Sequence, residues 1–155
     1  MAGHCPGCGV MVEKLNGTRH NLLLASSWGP KTFNGILTDA AMVYLVEDLA
    51  GDPAALPHYL YLINGTVLQH GEYAIRLNRM VTFYLARQDD GTYVLAYQGE
   101  REARMTVSRH RAAGFEGPLQ VKMEGDAGGV KFAAGDEFTI DLRPEKRYHI
   151  SLLRR

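Results

Sequence analysis

The chain has 155 residues, 46% of them hydrophobic, and seventeen Lys/Arg balance seventeen Asp/Glu. That length suits one domain able to bury roughly 70% of the surface its extended chain would expose. The neutral balance excludes a general nucleic-acid binder, which needs a basic excess to neutralise phosphates. Two cysteines, Cys5 and Cys8, are too few to staple a secreted fold. With no signal-peptide pattern and no apolar run near the roughly 20 residues of a spanning helix, the expectation is a cytoplasmic protein with no membrane span.

Residues 1–9 read as an N-terminal Cys/His segment and 10–155 as a single β domain. Strands are expected over 10–15 and 19–25, joined at Asn16-Gly17, because Asn-Gly tolerates the positive φ of a type I′ loop. A loop containing Trp28 and Pro30 follows, then a short strand over 32–37. The pattern next predicts the one helix, near 39–50, with Thr38 or Asp39 as N-cap and Met42, Leu45, Val46 and Leu49 on one face. Glu47 and Asp48 in its last turn oppose the helix dipole, and the stretch 42–46 also suits a buried strand.

From residue 57 onward, short alternating segments recur between turn residues. Strands over 58–63 and 67–70 are expected to turn at Asn64-Gly65, and strands over 79–87 and 93–98 at Asp90-Gly91. The stretch 100–110 alternates most cleanly, with Ala103, Met105 and Val107 on one face and Arg104, Thr106 and Ser108 on the other. Strands over 119–123, 129–133, 137–142 and 147–152 complete the set. The fold class is therefore mainly β: an antiparallel β-sandwich or Greek-key barrel with one short helix. The alternative is a β-trefoil, suggested by two Asn-Gly-Thr phrases 48 residues apart.

The sharpest chemical signal is His4-Cys5-Pro6-Gly7-Cys8-Gly9. Two cysteines separated by two residues can aim both sulfurs at one tetrahedral zinc, and a hairpin over 10–25 can carry His20 back towards them. Cys5, Cys8, His20 and His4 are thus the candidate zinc ligands. The motif resembles one knuckle of a zinc ribbon, and also the metal-binding loop of heavy-metal chaperone domains. The chain holds no second Cys pair for a ribbon and no alternating βαββαβ pattern for a chaperone, so neither function is carried over. Ser108 and His110 share a strand face but stand too far apart for a direct bond, and no nucleophile elbow surrounds them. The paired carboxylates are sequence neighbours, which seldom converge on one bond.

Tyr59 and Tyr61 share one strand face, as do Tyr93 and Tyr97. With Trp28, they form a candidate surface for stacking on a carbohydrate or anchoring a protein partner. The expectation is a non-catalytic binding or structural interaction module that self-associates as a homo-oligomer or binds another protein. The alternatives are a carbohydrate-binding, lectin-like domain and a zinc-binding protein or metal-dependent enzyme.

Overall fold

The computed structural model describes residues 8–25, 29–49, 56–89, 92–109, 119–124, 131–134, 137–144 and 147–154. Strands β1 (Cys8–Leu15) and β2 (Thr18–Ala25) pair antiparallel and turn at Asn16 and Gly17, whose φ angles of 49° and 80° are those of the expected type I′ loop. Where one strand was expected over 32–37, two form: β3 (Lys31–Phe33) and β4 (Ile36–Thr38), reversing at Asn34 and Gly35 with φ of 49° and 78°.

The helix expected near 39–50 is absent. Its place is taken by strand β5 (Met42–Asp48), paired to β2 on one side and to a later strand on the other. Val43 and Leu45 lie fully buried while Tyr44 between them is half-exposed. A helix with Met42, Leu45, Val46 and Leu49 inward would leave the β-branched Val43 outside the core. In the strand, Asp48 also gains a 2.8 Å bond from Arg87, escaping the unfavourable end of a helix dipole.

Asn64-Gly65 is not a turn either. Strand β6 (Tyr59–His70) runs through it and reverses at Gly71-Glu72 into β7 (Tyr73–Arg87). Asn64 keeps a positive φ of 54°, and the ladder register shifts on both sides of Gly65, so the phrase makes a bulge. Asp90-Gly91 lies outside the described residues; the strands around it pair Arg87 with Tyr93. Strands β8 (Tyr93–Gln98), β9 (Ala103–Arg109), β10 (Leu119–Glu124), β11 (Lys131–Ala134), β12 (Glu137–Leu142) and β13 (Arg147–Arg154) follow.

All these strands belong to one antiparallel sheet that forks at the β6–β7 ribbon. The start of β6 pairs with β5 and its end with β4; the start of β7 pairs with β9 and its end with β8. Two leaves result. The first runs β1-β2-β5-β6-β7-β8-β13-β10, and the second continues from the far ends of β6 and β7 to β4-β3 on one side and β9-β12-β11 on the other. Leu23, Val43, Leu45, Leu60, Leu62, Phe83 and Leu95 of the first leaf share one apolar core with Phe33, Ile36, Leu68, Ile75, Met105 and Ile140 of the second. Ala103, Met105 and Val107 are buried as their alternation predicts. No threefold repeat exists in this strand order, and the Asn-Gly-Thr echo that suggested a trefoil joins a turn to a bulge.

The bulge is held from outside β6. The buried Asp39 carboxylate accepts from the backbone N–H of Thr66 at 2.8 Å and of Val67 at 3.2 Å, and from the Thr66 hydroxyl. The Lys31 ammonium donates to the Ala40 carbonyl at 2.8 Å. These bonds fasten the β3–β4 hairpin and its exit to the fork.

Candidate functional site

A sheet strand points alternate side chains to opposite faces, so each core residue of the first leaf has a neighbour directed outward. The register aligns these neighbours. Leu22, Tyr44, Tyr61, Tyr84 and Ala96 stand opposite one another in sequence across β2, β5, β6, β7 and β8, and Arg147 of β13 continues the row. Tyr59, two residues from Tyr61, lies on the same face.

The rings touch. Tyr59 and Tyr84 stack at a centroid distance of 6.3 Å, Tyr61 and Tyr84 meet tilted at 6.3 Å, and Tyr44 and Tyr59 at 5.8 Å. His20 stacks on Tyr44 at 5.9 Å, and its Nδ1 is 2.6 Å from the Tyr44 hydroxyl. At the other end, the Tyr61 hydroxyl donates to Gln98 at 3.3 Å. Burial, reinforced by the neighbouring Tyr61, Tyr84 and Tyr44, raises the Tyr59 pKa above the usual phenol value. Beside Tyr84 opens a pocket of about 440 Å³ whose polar wall is Gln98, Glu100 and Arg147. The arrangement presents flat apolar area with hydrogen-bonding groups at its margin.

Of the expected surface residues, Tyr59 and Tyr61 stand on this face. Tyr93 and Tyr97 do not: both are buried in the core, where the Tyr93 hydroxyl donates to the Leu56 carbonyl at 3.5 Å and that of Tyr97 to the Arg101 carbonyl. Register explains this, because Tyr97 stands opposite the core residue Phe83. Trp28 lies outside the described residues. Tyr44 and Tyr84, which join the row, escaped the sequence reading. Tyr44 falls in the stretch expected to be helical and Tyr84 in the strand expected over 79–87; the apolar neighbours Val43 and Leu45, and Phe83 and Leu85, are the signal that marks each as outward-facing on a strand.

Of the candidate zinc ligands, the two within the described residues, Cys8 and His20, are not brought together. His4 and Cys5 lie outside the described residues. Cys8 opens β1 and is disulfide-bonded. Cys8 stands opposite Ala25, while His20 stands opposite Glu13, so about 17 Å of strand separates the two positions at ~3.4 Å per residue. Among the described residues no three His, Cys, Asp or Glu side chains converge as a metal site would require.

A second polar cluster sits where the leaves meet. Glu47 of β5 accepts from His70 of β6 at 2.8 Å and from the amide of buried Asn21 at 3.1 Å, with Arg19 3.7 Å away. Asn34, at the β3–β4 tip, donates to Asn21, and His70 Nδ1 lies 3.2 Å from the Gly35 carbonyl. Burial disfavours the charge on both members of the pair. For Glu47, the His70 bond and charge, with Arg19 and Asn21, outweigh burial and lower the pKa; for His70, the Glu47 bond and charge outweigh it and raise the pKa. This cluster clamps one leaf to the other.

Comparison with protein-family models and with curated proteins finds no match to this chain.

Proposed function

We propose that the chain is a non-catalytic binding module that holds a protein partner against the tyrosine face of its first leaf. The contact of Tyr44, Tyr59, Tyr61 and Tyr84 across three adjacent strands carries this reading. Tyrosine combines large contact area with few rotatable bonds and a polar tip, which is why it is enriched where proteins bind. Rings already packed on one another lose little further freedom on binding.

One observation favours a second ligand class. The pocket beside Tyr84 combines a ring face with Gln98, Glu100 and Arg147, an arrangement that suits a sugar stacked on the ring and bonded at its edge.

Capture from extract with wild type and with Tyr84→Ala, followed by affinity measurement on the purified partner, tests the main reading. Truncating a central anchor costs about 2 kcal/mol or more, so binding is expected to weaken roughly 30-fold. Unchanged affinity in both Tyr84→Ala and Tyr61→Ala would sink the tyrosine face. A glycan array that lights up for one sugar, and goes dark with Tyr84→Ala, would replace protein with carbohydrate.

A further inference from the structure

We propose that two copies of this chain pair edge to edge through β1, antiparallel and centred on Met11. This is independent of what the tyrosine face holds. β1 ends the first leaf, and among the described residues it pairs with β2 alone. One row of its backbone N–H and C=O groups therefore faces away from the sheet.

The side chains on this edge are apolar on both faces. Val10 stands opposite the core residue Leu23 and Val12 opposite the buried Asn21, so both point to the core side, yet they are 40% and 44% exposed. Met11, on the tyrosine side opposite Leu22, is 46% exposed. Natural edge strands are protected by proline, charge or bulges. The stretch Val10-Met11-Val12 has no proline or charge, and its ladder with β2 runs without a register shift.

The sequence of β1 fits a second copy of itself in one register. A twofold axis normal to the sheet relates antiparallel copies, and a residue that points up then points up in both. Facing positions must therefore share parity. With Met11 opposite the partner's Met11, Val10 meets the partner's Val12 twice over and residues 8–14 all pair. Centring on Val12 would set Met11 against Glu13 and Val10 against Lys14. Centring on Glu13 would oppose like charges, which destabilises a strand pair, and centring on Val10 would pair residues 8–12 alone. The same axis keeps both tyrosine rows on one side, so the joined leaves present a single continuous face.

Sedimentation across a concentration series, with the full chain, tests the pairing. Wild type is expected to move from monomer to dimer, and Val12→Lys, which puts a charge opposite the partner's Val10, to stay monomeric with an unchanged far-ultraviolet circular dichroism spectrum. Met11→Cys is expected to give an oxidised dimer linked residue 11 to residue 11, and Glu13→Cys, which would face the partner's Gly9, no link between copies. Should Val12→Lys fail to fold, the Met11→Cys linkage decides alone. A wild type that stays monomeric, a dimer that survives Val12→Lys, or a Met11→Cys chain that does not link would overturn the proposal.

Discussion

Gly65 occupies a position where any side chain would collide with the backbone beside it. A Cβ there would lie 2.7 Å from the Ala40 Cβ and 3.0 Å from the Ala40 Cα, and the Ala40 main chain cannot swing aside because Lys31 holds its carbonyl. Gly65→Ala is expected to cost about 1–3 kcal/mol, the range for overpacking a filled core, read as a lower urea midpoint. Asp39 is the complementary case. Asp39→Ala removes the acceptor of the half-buried Thr66 and Val67 N–H groups and of the Thr66 hydroxyl, and each hydrogen bond lost costs roughly 0.5–1.5 kcal/mol. The same urea titration should therefore show a loss at least as large as that of Gly65→Ala. Neither substitution touches the tyrosine face, so both measure how firmly the bulge holds the fork.

At the scale of elements, one dipeptide occurs three times and has two fates. Asn16-Gly17 and Asn34-Gly35 turn hairpins, while Asn64-Gly65 bends a continuous strand. Local chemistry made the positive φ at Asn16 and Asn64 legible, whereas Asn34 fell inside the single strand expected over 32–37; at Asn64-Gly65 the chain runs on through a bulge held by Asp39, which lies 26 residues from Gly65 and bonds to the amides just beyond it. The β5 error has the same origin: apolar residues at 42, 45, 46 and 49 satisfy a helix as well as a strand, and only pairing with β2 and β6 decides. Alternation alone was sufficient for β8 and β12, whose expected and observed ranges coincide, and for β9, whose range lies within three residues of that expected. Tyr59 and Tyr61, half of the tyrosine face, were legible for this reason; Tyr44 was lost with the misassigned β5, and only the register shows that Tyr44, Tyr61 and Tyr84 stand in one row. Gly35 offers a further test. At φ of 78°, with no close neighbour for a Cβ, Gly35→Ala incurs backbone strain without a clash, and roughly 1 kcal/mol is expected, at the low end of the Gly65→Ala range, by thermal melting.

Across the whole molecule, the clamp between leaves ties stability to pH. Glu47 ordinarily titrates near 4.5 and is lowered here, so its contribution is complete above that value and is lost as pH falls through the lowered pKa. His70 ordinarily titrates near 6.5 and is raised, so its contribution is complete below that value and is lost as pH rises through the raised pKa. Both act together between about 4.5 and 6.5. His70→Gln should flatten the fall in urea midpoint above pH 6.5 relative to wild type. Parallel pH curves for the two proteins would show that the clamp does not hold the leaves.

The fork makes β6 and β7 common property. Each belongs at one end to the first leaf and at the other to the second, and both line the shared core. No cut in the sequence leaves a fragment with a complete interior of its own, so truncation at either end exposes the remaining half instead of liberating a smaller stable unit. Melting should accordingly be a single event, with the tyrosine signal in the near-ultraviolet and the backbone signal in the far-ultraviolet vanishing at one temperature.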